Sequence, residues 1–123
     1  MELKGRCRED FKQFLFKELW VKQDFDKHEV TFKDMPFSMQ WGIYLDFFDS
    51  LDKDMYIALY PNYHCNKGLI GFTWGISCGY FPEEENYFGE DVSREEAQKA
   101  CLEKANEIYN EKHFVFPHDL DKI

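Results

Sequence analysis

The stretch Ile70-Gly71-Phe72-Thr73-Trp74-Gly75-Ile76-Ser77-Cys78-Gly79-Tyr80 alternates without a break between bulky and small side chains. Successive residues of an extended chain point to opposite faces, so this period of two predicts a strand. Its bulky wall is Ile70, Phe72, Trp74, Ile76, Cys78 and Tyr80, and its bare wall is Gly71, Thr73, Gly75, Ser77 and Gly79. A bare wall admits close approach by another backbone. The expectation is therefore that a helix lies on the glycine side.

Upstream, Met55–Tyr60 reads as a partner strand. The turn formers of 61–68, Pro61, Asn62, Asn66 and Gly68 among them, predict a loose loop, so residues 55–80 form a hairpin. Downstream, Phe81-Pro82 closes the strand, and an acidic loop is expected to run to Val92. Alternation over His28–Lys33 places Val30 and Phe32 on one face and allows a short edge strand at 28–33.

Three segments carry helical periodicity. Over 5–22 it is Cys7, Phe11, Phe14, Leu15 and Leu19. Over 37–51 it is Phe37, Trp41, Tyr44, Leu45, Phe48 and Leu51, with Pro36 suited to the first turn. Gly42 costs this helix about 1 kcal/mol relative to Ala unless it permits close packing. A strand over Ile43–Phe48 is the alternative. Over 93–112, Ser93 and Glu96 form a capping box ahead of a stripe of mostly small residues, Ala97, Ala100, Cys101 and Ala105, then Ile108 and Tyr109. Such a stripe suits close packing on the glycine wall. Phe114–Pro117 reads as a short extended segment before a polar tail. The order of elements predicts one α+β domain over 1–123: a small antiparallel sheet packed by helices.

Thirteen Phe, seven Tyr and three Trp in 123 residues supply a dense aromatic core and leave rings over for the surface. A formal charge of −9 disfavours nucleic acid and anionic membranes, which repel a field of that sign. The acidity has two readings: a solvated surface, or one shaped to meet a basic protein groove. Residues 1–14 offer no signal-peptide core, and nothing approaches ~18 consecutive apolar residues, so no membrane segment is expected. Cys7, Cys65, Cys78 and Cys101 lie far apart in sequence, and reduced thiols in a cytoplasm follow. All but Cys65 sit on apolar stripes and read as core.

Catalytic patterns are weak. His64-Cys65 has no partner at metal-ligand spacing, and no metal or cofactor is expected. Asp46, Asp49, Asp52 and Asp54 cluster near one helix end but lack the glycine and final glutamate of a calcium loop. No serine lies in a nucleophile elbow, and the glycines of the strand form no phosphate loop. The stretch 83–96 offers a different chemistry. Glu83, Glu84, Glu85, Glu90 and Asp91 surround Tyr87 and Phe88, pairing carboxylates for Lys or Arg with apolar anchors. These seven residues are the candidate partner-binding set.

The segments ELKGRCREDF, PFSMQWGIYLDFFDS and EEAQKACLEKANEIYN, roughly a third of the chain, resemble small proteins encoded by phages and mobile elements of gut bacteria. That resemblance carries no catalytic motif and no site residue. It implies a setting, the bacterial cytoplasm during infection, and by analogy an inhibitor of host or defence machinery of the anti-CRISPR kind. The expected function is a non-enzymatic, acidic protein-binding module. Two alternatives stand beside it: a small ligand- or metal-binding domain or enzyme using Asp46, Asp49 and His64, and a homo-oligomeric accessory protein pairing through strand edges.

Overall fold

A computed structural model describes residues 3–15, 32–51, 55–79 and 85–112. Within them the chain forms α1 (Gly5–Phe14), α2 (Phe37–Asp49), β1 (Met55–His64), β2 (Gly68–Cys78), β3 (Glu85–Asp91) and α3 (Arg94–Lys112). The strands make an antiparallel sheet in the order β1-β2-β3. The architecture is the small α+β fold the sequence predicts.

Four local details differ from expectation. Residues 85–91, expected as loop, are the third strand. They pair with β2 from Cys78↔Glu85 to Phe72↔Asp91. The hairpin connection is tight: β1 runs on to His64, Lys67 N–H donates to the His64 carbonyl at 3.1 Å, and Gly68 follows with φ +75°. That is a hydrogen-bonded four-residue turn closed by a left-handed residue, a geometry glycine adopts without steric cost. Ile70 leaves the bulky wall, because the register slips after Asn62 and makes it the extra residue of a bulge, 54% exposed. Of the expected edge strand, Phe32 and Lys33 are helical and 28–31 fall outside the described residues. So do Leu19, Tyr80 and the segment from Phe114.

The helices sit on the bulky wall. Phe72, Trp74, Ile76 and Cys78 share that side with Met55 and Ile57 of β1, and all are buried. Against them lie Ala97, Cys101, Ala105, Ile108 and Tyr109 of α3. The expectation that α3 roofs the glycine wall is therefore overturned. Burying a large apolar side chain is worth roughly 1.5–3 kcal/mol, whereas covering glycines removes little apolar surface from water. The small helical stripe is the complement of large strand residues, and its alanines make room for Trp74 and its neighbours.

A second aromatic layer joins α1 to α2. Phe47 contacts Phe11, Phe14, Phe48 and Tyr109 with ring centroids 5.0–5.8 Å apart, several of them edge to face. The start of α1 is capped by α3 rather than by its own side chains. Lys4 N–H donates to Asn106 Oδ1 at 2.8 Å, and Cys7 N–H donates to Asn110 Oδ1 at 2.9 Å. Asn110 Nδ2 in turn donates to the Lys4 carbonyl. The Tyr109 hydroxyl donates to buried Asp10, which Arg6 approaches at 3.4 Å. Burial, then that hydrogen bond, hold the Tyr109 phenol above its usual range. A Cβ on Gly42 of α2 would meet nothing within 4 Å among the described residues, so no close packing there calls for glycine.

Candidate protein interface

With α3 on the bulky wall, the opposite face of the sheet carries the exposed rings. Cross-strand partners share a face, which puts three rows side by side: Tyr56–Ser77–Asn86, Ala58–Gly75–Phe88 and Tyr60–Thr73–Glu90. Tyr56 is 64% exposed, Tyr60 49% and Phe88 70%. The glycine wall runs between them as a floor. A Cβ on Gly75 would meet the Phe88 ring at 3.4 Å, so that ring lies beside the bare centre of the floor.

The polar groups of this floor are paired within the sheet. Ser77 Oγ donates to Asn86 Oδ1 at 2.7 Å, and the Thr73 hydroxyl and Asn62 amide bond each other at 2.7–3.0 Å. A partner covering the face therefore leaves these groups satisfied, which lowers the desolvation cost of docking.

The seven residues expected to bind a partner divide by strand parity. Phe88 and Glu90 lie on the open face. Glu85, Tyr87 and Asp91 belong to the helix side, where the Tyr87 ring lies 5.0 Å beneath the Lys104 ammonium and its hydroxyl donates to Glu85 at 2.6 Å. Glu83 and Glu84 lie outside the described residues. Tyr87 and Phe88 thus do not form one surface. The exposed rings of this face that the sequence did not single out are Tyr56 and Tyr60. Their signal was present, since Tyr56, Ala58 and Tyr60 alternate with Met55, Ile57 and Leu59.

The other candidate groups stay apart from this face or from each other. His64 is exposed at the hairpin turn, where its Nδ1 accepts the Asn66 N–H at 3.1 Å. Asp46 and Asp49 are exposed in the last turns of α2. Partial burial first, and the Asp46 charge second, raise the Asp49 carboxyl. Asp52 and Asp54 lie outside the described residues. Among the described residues no group of three or more His, Cys, Asp or Glu side chains is placed to hold a metal ion. Cys7, Cys78 and Cys101 are buried and Cys65 is exposed, and none of the four is in a disulfide. No described helix is long and apolar enough to cross a membrane. Set against protein-family models, curated proteins and solved structures, the chain gives no match.

Proposed function

We propose that the chain is a non-enzymatic protein-binding module whose contact surface is the open face of the sheet, and that its partner is a protein with a basic surface. One observation carries the reading: Tyr56, Tyr60 and Phe88 stand exposed around a floor of small residues whose polar groups are already bonded. Large rings on a rigid sheet are the side chains that dominate binding energy at protein interfaces, and a small-residue floor lets a partner backbone come close. The net charge of −9 and Glu90 on the open face favour a partner of opposite sign. In the setting implied by the resemblance to phage and mobile-element proteins, such a module would act by covering a working surface of a host or defence protein.

The test compares two proteins. Immobilised wild type and a Tyr56→Ala/Phe88→Ala double variant are each exposed to bacterial lysate at low and high salt. Both replaced rings are exposed, so the variant keeps its fold, which circular dichroism checks. The expected result is a basic protein retained by the wild type, lost from the variant and weakened by salt, because exposed charge pairs are screened. A retained set identical for both proteins contradicts the assignment of this face.

A further inference from the structure

On the helix-covered side of the sheet a groove of about 490 Å³ opens where α2, the start of α3 and the β1–β2 hairpin meet. That volume lies within the range of roughly 300–1,000 Å³ typical of small-ligand sites. Trp41, Leu45, Ile57, Leu59 and Phe72 give it apolar walls, and Arg94, Gln98 and Ser38 supply polar groups. A smaller recess of about 350 Å³ shares those three polar residues and adds Phe37 and Glu95.

Gln98 is the informative residue. It is 7% exposed, it lines both cavities, and no hydrogen bond reaches its side-chain amide among the described residues. Solvent reaches its amide atoms through the groove, so their hydrogen-bonding capacity is open to a ligand. Arg94 lies one helical turn earlier on α3. Its guanidinium sits 5.2 Å from the Phe72 ring centroid, and no carboxylate pairs with it among the described residues. A guanidinium stacked on a ring keeps its N–H edge free for a planar anion. Among the described residues the lining of the larger cavity contains no carboxylate, which sets it apart in so acidic a chain. In the smaller recess Glu95 is paired with Lys99 at 3.1 Å.

We propose that this groove is a binding site for a carboxylate with an apolar body. Arg94 takes the carboxylate, Gln98 adds a hydrogen bond from its amide, and Trp41 and Phe72 contact the apolar part. Two sources present that chemistry: a free aryl or alkyl carboxylic acid, and the C-terminal residue of a peptide.

The test is an NMR titration of the isotope-labelled full chain with hydrocinnamate, with its neutral amide, and with a short peptide ending in Phe with a free carboxyl. Saturable shifts of the Gln98 side-chain amide, the Arg94 Nε–H and the Trp41 indole N–H are expected. The neutral amide should bind about tenfold or more weakly, the loss of a charge-assisted bond. Gln98→Leu should weaken the acid by about tenfold while leaving the unfolding midpoint unchanged, because no described protein group bonds the amide it removes. Arg94→Gln should weaken it at least as much. Tighter binding of the peptide identifies a protein C-terminus as the ligand, and tighter binding of hydrocinnamate identifies a free acid. No shift at these three groups, equal binding of acid and amide, or unchanged affinity in both variants overturns the proposal.

Discussion

The two faces of one three-stranded sheet are built from the same alternating strands yet have opposite fates. On the helix side Ile76 is 1% exposed and Trp74 8%, while on the other side Tyr56 and Phe88 are 64% and 70% exposed. Alternation tells which residues share a face, and it is silent on which face is covered. Coverage is decided by where apolar area is largest, and from Phe72 to Cys78 β2 puts its bulk on one wall. The helix that meets this wall is small-faced because the strand is large-faced.

The comparison breaks first if the two walls respond alike to truncation. Ile76→Ala should cost about 2–5 kcal/mol in urea unfolding, the loss for an aliphatic core residue whose site collapses only partly. Tyr56→Ala on the open wall should stay within about 0.5 kcal/mol. Near-equal losses would mean that the open wall is packed too.

A pair of glycines sharpens the same contrast. A Cβ on Gly89 would lie 2.3 Å from the Trp74 indole, so Gly89→Ala must displace a core ring and should cost about 1–3 kcal/mol. At Gly75 the nearest atoms are 3.4 Å away and belong to the exposed Phe88 ring, which can swing aside. Gly75→Ala should therefore change stability by no more than about 0.5 kcal/mol.

The covered side also predicts a pH dependence. Burial pushes the Cys101 thiol from 9.0 up to about 12, and it raises Cys7 as well, with the Asp10 charge adding to the effect. Below 9.0 both the folded and unfolded chains hold the Cys101 proton, and its contribution to stability is complete. Between 9.0 and about 12 only the unfolded chain releases it, so stability falls as pH rises through that window. Thermal melts across that range should show a declining Tm, with a shallower decline in Cys101→Ala. Equal slopes would show that this thiol is not desolvated. The smallest effect is expected of Phe88→Ala: a stability change within about 0.5 kcal/mol, with partner retention lost.

Most of the fold was legible because its signals are local. The alternation of 70–80, the capping box at Ser93, whose Oγ accepts the Glu96 N–H at 3.1 Å, and the apolar stripe of 37–51 each fix an element by themselves. Strand β3 was not legible. Only Tyr87 of its seven residues joins the core, and its carboxylates imitate a solvated loop. Gly89 reads as a loop residue until Trp74 is seen lying across it. The open face was half legible: Phe88 and Glu90 stood out for charge and aromaticity, whereas Tyr56 and Tyr60 look like ordinary strand residues until the covered wall is known. The groove at Arg94 and Gln98 joins residues from four elements, a convergence that only tertiary structure produces.

Ring-proton relaxation by a neutral, soluble paramagnetic agent tests the two-faced sheet most directly. The protons of Tyr56, Tyr60 and Phe88 should relax strongly, and those of Trp74 and Tyr109 should be nearly untouched. Phe88 as protected as Trp74, or Trp74 as accessible as Phe88, would contradict the assignment of covered and open walls.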